Sequence, residues 1–415
     1  MASSGRRAAM PFIMMTVLLD MMSIGMIVPV LPKLVGTFMS SPSDIAVAYG
    51  AAQVCFALAQ FFSAPILGAL SDRYGRRPVL LLGLFGMAVN FFVTALATEF
   101  WILLAVRLMG GMVCANVAVA NAYVADITDG HNRAKNYGLL GAMFGLGFML
   151  GPFMGGVLGD KNVHLPFFVA GGLALLNCLY GYLVLPESLP AEKRRTVRLT
   201  SVSPFSAMAR LRQLKEVKPL LWVIALSTLA QFMLHTSWML YTEFKFGWSP
   251  RDNGLSLFVV GLMAVIVQGG LLRHLQKFVS SSRLASIGLV SATLAFVAWG
   301  AVPAGWMMYA VIVINVFGYA VNPTIQGLIS NAIDPKKQGE SMGALSSINS
   351  VSAIVGPLLG APVLATVSHY PQGDWRLGAP FYFCAVLQAM AAWIGIRHFS
   401  RRHSVAASTG VASTH

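Results

Sequence analysis

Twelve long apolar runs decide what this chain can fold into. They lie near 11–32, 45–70, 78–98, 101–125, 137–159, 164–185, 219–241, 253–272, 284–302, 304–329, 342–366 and 378–398. An α-helix needs roughly 20 apolar residues to cross the hydrocarbon core of a bilayer, and each run supplies about that number. Lipid offers no hydrogen bonds to a backbone, so such a run must satisfy its own N–H and C=O groups as a helix. A membrane barrel would instead show ~10-residue segments of alternating polarity. Composition agrees, with 56% hydrophobic and only 11% charged residues, where soluble domains carry about 25% charged. The expected fold is all-α and integral to the membrane, with twelve transmembrane helices. The first run is too long for the apolar region of a signal peptide and lacks an A-x-A-like site, so it is read as a span that stays. Pro303 and Gly305 mark the turn between the ninth and tenth spans, and a tight link near Glu99 joins the third to the fourth.

The net charge is +14, and its placement gives its meaning. With the N-terminus inside, twenty-three of the 29 Lys and Arg fall in inside segments and five in outside loops, while Arg107 lies within a span. This bias places both termini in the cytoplasm. The basic charge then serves topology and anionic lipid rather than nucleic acid. Residues 186–218 form the one sizeable polar stretch and read as a cytoplasmic linker, with an amphipathic surface helix over Phe205–Leu214. The segment 399–415 reads as a disordered cytoplasmic tail. Cys55, Cys114, Cys178 and Cys384 all lie in apolar runs and far apart in sequence. That pattern fits small buried hydrophobes, with neither a disulfide framework nor a metal spacing. The sequence shows no nucleophile–base or metal cluster, so the chain is not read as an enzyme, and no metal site is expected.

The chain also repeats itself. Adding 205 to a residue number carries Gly138 onto Gly343, Leu140 onto Leu345, Gly151 onto Gly356, Pro152 onto Pro357 and Gly155 onto Gly360. Asp129 falls on Asp334 in the same way. Two six-helix bundles, 1–185 and 219–398, follow, related by a parallel pseudo-two-fold along the membrane normal. In that transporter plan the site sits at midplane between the halves.

Three motifs carry chemistry. "GALSDRYGRRPVLL" follows the second span. Gly68 is expected to permit close helix packing and Gly75 a tight turn. Asp72 is expected to accept hydrogen bonds from a helix N-terminus, where N–H groups are free. Arg73 and Arg76 belong at the cytoplasmic surface. The string fits the major facilitator superfamily loop signature, G-x-L-x-D-R-x-G-R-R. Arg107 and Gly111 match the R-x-x-x-G signature of its proton-coupled members. A guanidinium this deep must pair, or reach back to the interface. The fifth span carries Gly147, Gly151, Pro152, Gly155 and Gly156. Small residues at every fourth position let helices touch backbone to backbone, and proline adds a bend. This pattern resembles the antiporter signature of the drug-exporting branch, which implies export and a rocking joint at this helix.

A closer resemblance covers nearly the whole chain. "LLDMMSIGMIVPVLPKL", "SDRYGRRPVLL", "ANAYVADITDGHNRAKNYG", "WMLYTEFKFGW" and residues 326–359 are similar to the tetracycline/proton antiporters. The resemblance implies the major facilitator fold, alternating access and one proton entering as drug leaves. It matches Asp20 to that family's first-helix carboxylate, Asp72 and Arg76 to its loop motif, and Asp126 to the acidic end of its fourth helix. There are departures too. The family has an aspartate in the third helix, a histidine in the eighth and an aspartate in the ninth, where this chain has Asn90, Ala264 and Ser291. Those groups handle the cationic metal–tetracycline complex and its proton. Their loss weighs against tetracycline itself and for a less charged or purely organic substrate.

Asp20 is the lone carboxylate deep in a span. Low dielectric disfavours its charged form, so it can take a proton from one side and release it to the other. A charge moved across 100 mV is worth ~2.3 kcal/mol. The proton-coupling pair is therefore read as Asp20 and Arg107. The substrate pathway is read as Gln60, Asn90, Asn116, Asn121, His235, Trp238, Gln268, Asn322 and Gln326. A cytoplasmic gate is read as Gly68, Asp72, Arg73, Gly75, Arg76, Asp126 and Arg133. The expected function is proton-coupled efflux of a small amphipathic drug, tetracycline-like or multidrug, with import of a small metabolite on the same fold as the alternative. The expected partners are that small molecule, H+ and the lipid bilayer of a bacterial inner membrane. The chain is expected to work as a monomer with no cofactor beyond the coupling proton.

Overall fold

The computed structural model describes residues 2–114, 116–128, 133–194, 217–333 and 338–408. All of its regular elements are helical. Each of the twelve apolar runs falls on a helix or a helix pair. The helices overrun the apolar stretches, because local signals set their ends. The second span, Pro42–Tyr74, starts where the Ser41 hydroxyl accepts from the Asp44 N–H at 3.1 Å, with proline in the first turn. It stops at Gly75, whose φ of +108° suits glycine. The last helix continues to Ser408, so the segment from 399 to 408 is helical where the sequence suggested a tail. No Gly or Pro interrupts that stretch before Gly410. The proposed surface helix over Phe205–Leu214 lies outside the described residues.

Among the described residues three spans are interrupted, the first by a turn at 28–30 between Ala2–Ile27 and Leu31–Gly36. The fourth consists of Phe100–Val113 and Asn116–Ile127, and Cys114 leaves helical geometry between them at φ −82°, ψ 65°. The tenth consists of Gly305–Ile314 and Gly318–Ala332, bent by 53°. Asn315 sits at that break, and its side chain accepts from the Ser291 hydroxyl at 3.0 Å.

The chain divides into two compact units. One comprises Met1–Pro204 and Gly247–Gly261, the other Phe205–Phe246 and Leu262–His415. The sequence placed the whole eighth span, Pro250–Phe278, in the second bundle. Its first half instead groups with the first unit, and glycine contacts explain why. A Cβ on Gly156 would lie 3.0 Å from the Gly254 Cα, and a Cβ on Gly261 would lie 2.9 Å from the Met149 Cβ. The rings of Phe153 and Phe258 stack in the same seam at 5.4 Å.

The repeat is visible in the packing inside each unit. In the first, the fifth span crosses the first span backbone to backbone. A Cβ on Gly147 would meet the Leu18 carbonyl at 2.7 Å, one on Gly151 the Met22 carbonyl at 2.6 Å, and one on Gly155 would overlap the Met26 carbonyl. In the second, Gly356 and Gly360 of the eleventh span lie against Phe232 and Met233 of the seventh. Residues matched in the sequence repeat therefore do the same work twice. Gly68 differs from expectation, since a Cβ there would have nothing within 4 Å; the turn beyond it depends on Gly75.

These contacts predict opposite signs for two alanine substitutions in the fifth span. Gly155→Ala drives a methyl into the Met26 backbone and should destabilise by about 1–3 kcal/mol. Gly138→Ala faces open space and should leave stability unchanged or slightly raised. Thermal unfolding of the two purified variants in detergent checks both.

Candidate functional site

Within the first unit, Asp20 and Arg107 are both buried, at 3% and 4% exposure. Arg107 does not reach back to the interface. Gly111, one turn on, has no side chain where the second span passes; a Cβ there would overlap the Phe56 carbonyl. That close approach puts the Phe56 ring 5.8 Å from the guanidinium carbon and makes buried Tyr49 an electrostatic neighbour of the cation. The R-x-x-x-G spacing thus has a physical reason: the glycine admits the helix that covers the arginine. Nε and Nη2 of Arg107 have no hydrogen-bond partner among the described residues. Cys114, at the break in the fourth span, feels the charges of both Asp20 and Arg107, so the two groups share one neighbourhood. Gln60 belongs to it as well, since its Nε2 donates to the Cys114 carbonyl at 3.1 Å.

One expected pathway residue of this unit, Asn90, serves packing. Asn90 is buried, and its amide donates to the Val106 carbonyl, tying the third span to the fourth. Asn121 is half-buried, and its backbone carbonyl accepts from the Tyr137 hydroxyl at 3.1 Å. The side chains of Asn116 and Arg133 lie outside the described residues.

Within the second unit a cavity of about 200 Å³ opens among the seventh, tenth and eleventh spans. It brings together His235, Asn322 and Gln326, all expected, with Gln231, Thr228 and Asn349. Gln231 Nε2 lies 3.0 Å from His235 Nε2. Asn349 carried no motif; its signal is a polar residue one helical turn beyond Leu345, which lines the same wall. Trp238 is not in the cavity. It is packed between Trp299 and Phe381, with ring centroids at 5.4 and 6.0 Å. Gln268 is exposed on a single π-turn, Val267–Leu271, a kind of helix defect that recurs at functional sites.

The loop between the second and third spans forms a tight charge network. The Arg76 guanidinium reaches Asp72 at 2.5 Å, Asp126 at 3.0 Å and the Ser71 hydroxyl at 2.6 Å. Its fork lets one cation hold two carboxylates. Arg73 is exposed and lies over Tyr74. The role expected of Asp72, capping a helix N-terminus, falls in this unit to Glu187. Its carboxylate accepts from the Arg76 N–H at 2.8 Å, the Arg77 N–H at 3.3 Å and the Leu189 N–H at 3.0 Å. Gly75 makes room, because a Cβ there would strike that carboxylate. Ser188 also donates to Asp126, at 3.2 Å. Glu187 escaped the sequence reading because it stands in the polar stretch after the sixth span and looks like solvated linker.

This arrangement of spans and loop motif matches a family model for the Major Facilitator Superfamily over residues 13–357. The chain belongs to that superfamily. Among its relatives it is 36% identical to the tetracycline resistance protein, class C, of Escherichia coli, over 93% of this chain and 97% of that protein. It is 29% identical to multidrug resistance protein 2 of Bacillus subtilis, over 84% and 87% of the two chains. Solved structures agree in fold. The human organic anion transporter MFSD10 aligns with a TM-score of 0.69 at 24% identity, covering 94% of this chain and 99% of that one. The nucleoside transporter NupG aligns with a TM-score of 0.73 at 14% identity, covering 94% and 99%.

Capping by Glu187 carries its own prediction for this superfamily member. Glu187→Ala strands three N–H groups and should destabilise by about 1–2 kcal/mol. Glu187→Gln, which keeps an acceptor oxygen but no charge, should recover part of that. Melting curves of both variants measure it.

Proposed function

We propose that this multi-pass membrane protein is a proton-coupled drug exporter, with Asp20 as the group that carries the proton. The single observation behind the coupling reading is a buried carboxyl at mid-span in the same unit as a buried arginine. The relatives named for tetracycline and multidrug resistance support efflux of a small amphipathic drug. A carboxyl at that depth can alternate between a neutral acid and a carboxylate whose charge Arg107 or a polar drug balances. Protonated, Asp20 lets the empty carrier return. Deprotonated, it favours loading. Proton entry down its gradient then drives drug out.

The Arg76 network is the inner gate in this reading, with the termini and the basic loops on the cytoplasmic side of a bacterial inner membrane. Held together, Asp72, Arg76 and Asp126 fix the loop that closes the cytoplasmic entrance. Letting go of one carboxylate frees it. The drug's path passes Gln60 in the first unit and the polar cavity in the second. The working unit is a single chain.

Inside-out vesicles with an imposed proton gradient test the coupling. Adding an exported drug from a panel that includes tetracycline should dissipate the gradient. Asp20→Asn should abolish that response, by about 100-fold or more in rate, a loss typical of removing a group that takes the proton itself. Undiminished exchange in Asp20→Asn would exclude the assignment. Arg76→Lys, a single point charge in place of a fork, should slow transport by about tenfold while changing drug affinity less than twofold.

A further inference from the structure

We propose that the cavity in the second unit is a charge-free carboxamide subsite that receives one uncharged, hydrogen-bonding edge of the exported drug. The proposal rests on the efflux reading above and adds the chemistry that the drug must present.

Size comes first. The cavity holds about 200 Å³. Pockets that enclose a whole drug run to about 300–1,000 Å³, whereas a ~150 Å³ cavity takes a benzene ring. One substituted ring fits, and the rest of the drug stays outside. Chemistry comes next. Gln231, Asn322, Gln326 and Asn349 bring four carboxamides from three helices to one space, with the Thr228 hydroxyl and the His235 ring beside them. Each carboxamide has two N–H donors and an oxygen with two lone pairs. None of the lining residues is Asp, Glu, Lys or Arg. The helices behind them add no charge at this depth. Lys218, Glu243 and Lys245 lie at the ends of the seventh span, Val321–Ala332 has no charged residue, and the eleventh span has only Glu340, in its first turn and nine residues before Asn349.

Three kinds of ligand can be compared. His235, Asn322, Gln326 and Asn349 are exposed in this unit, so an ionic group would trade bulk water for neutral amides and find no countercharge among the lining residues. A plain hydrocarbon would strip water from the four amides and leave them unsatisfied. An uncharged edge with adjacent donors and acceptors, such as a carboxamide or a β-hydroxy-ketone, replaces that water bond for bond. Only the third suits the site. Ionic chemistry resides in the first unit, on Asp20 and Arg107, so the proton and the drug's neutral edge are handled by different units.

The test uses the full chain in lipid nanodiscs and equilibrium dialysis. Two probes are compared: metal-free tetracycline, whose primary carboxamide is a neutral donor–acceptor edge beside an ionised enol, and its nitrile analogue, in which that carboxamide has been dehydrated while the enol and the amine keep their charges, so the ratio reads the carboxamide alone. Wild type should bind the carboxamide about tenfold tighter, the scale of one buried hydrogen-bonding group. Asn322→Leu and Asn349→Leu should bring that ratio close to one. Asn322→Asp keeps the shape and adds a charge; it should weaken tetracycline binding and strengthen binding of the tetraphenylphosphonium cation. Asp20→Asn should keep the wild-type ratio. A wild-type ratio near one, a ratio unmoved by the Asn322 and Asn349 variants, or no binding of tetracycline to wild type would each overturn the subsite. Failure of the efflux reading looks different: no drug in the vesicle panel would dissipate the proton gradient even where the nanodisc ratio holds.

Discussion

Gly147, Gly151 and Gly155 let the fifth span rest on the backbone of the first, and Asp20 rides on that first span. A bilayer gives helices no hydrophobic reason to associate, so close packing of small residues has to do that work. Once the two backbones are in contact, the carboxyl on the first span is held at a fixed depth and shielded from lipid. The second unit repeats the arrangement with Gly356 and Gly360 against the seventh span, and that helix carries Thr228, Gln231 and His235 into the cavity. The same contact therefore positions the buried acid in one unit and the polar wall in the other.

Polar side chains in these spans fall into two groups by what they touch. Asn90 and Tyr241 hydrogen-bond to carbonyls of neighbouring helices, so their polarity is consumed in packing. The cavity residues and Arg107 are not so consumed. Arg107 keeps two nitrogens without partners among the described residues, which a membrane protein tolerates where function requires it. A polar residue in a span is informative once its neighbours are known, because most such residues find a carbonyl.

Legibility from sequence followed the physics of each feature. The spans were readable because hydropathy acts over some twenty residues and no local detail overrides it. The breaks in the fourth and tenth spans were not, because they fall at Cys114 and Asn315, residues that do not announce a helix end as Gly or Pro would. Asp20 and Arg107 stood out as charges in apolar surroundings. Glu187 did not, since a glutamate among other charges gives no sign that it caps a distant helix. Trp238 and Asn90 were legible as unusual for a span, but whether a side chain faces a cavity or a neighbour depends on helix rotation, which a near-uniform apolar pattern hides. The division of the eighth span between units was equally hidden, because it turns on Gly156 and Gly254 meeting across more than ninety positions of chain.

The cap formed by Glu187 has an architectural consequence for the stretch that follows it. Among the described residues, the hydrogen bonds that fasten the chain after the sixth span run from Pro186, whose carbonyl accepts from the Tyr123 hydroxyl at 2.7 Å, to Leu189. Arg194 still borders the loop, its guanidinium 3.2 Å from where a Cβ on Gly75 would stand. An insertion between Pro186 and Arg194, such as a reporter or a protease site, would therefore loosen the arginine-centred clasp.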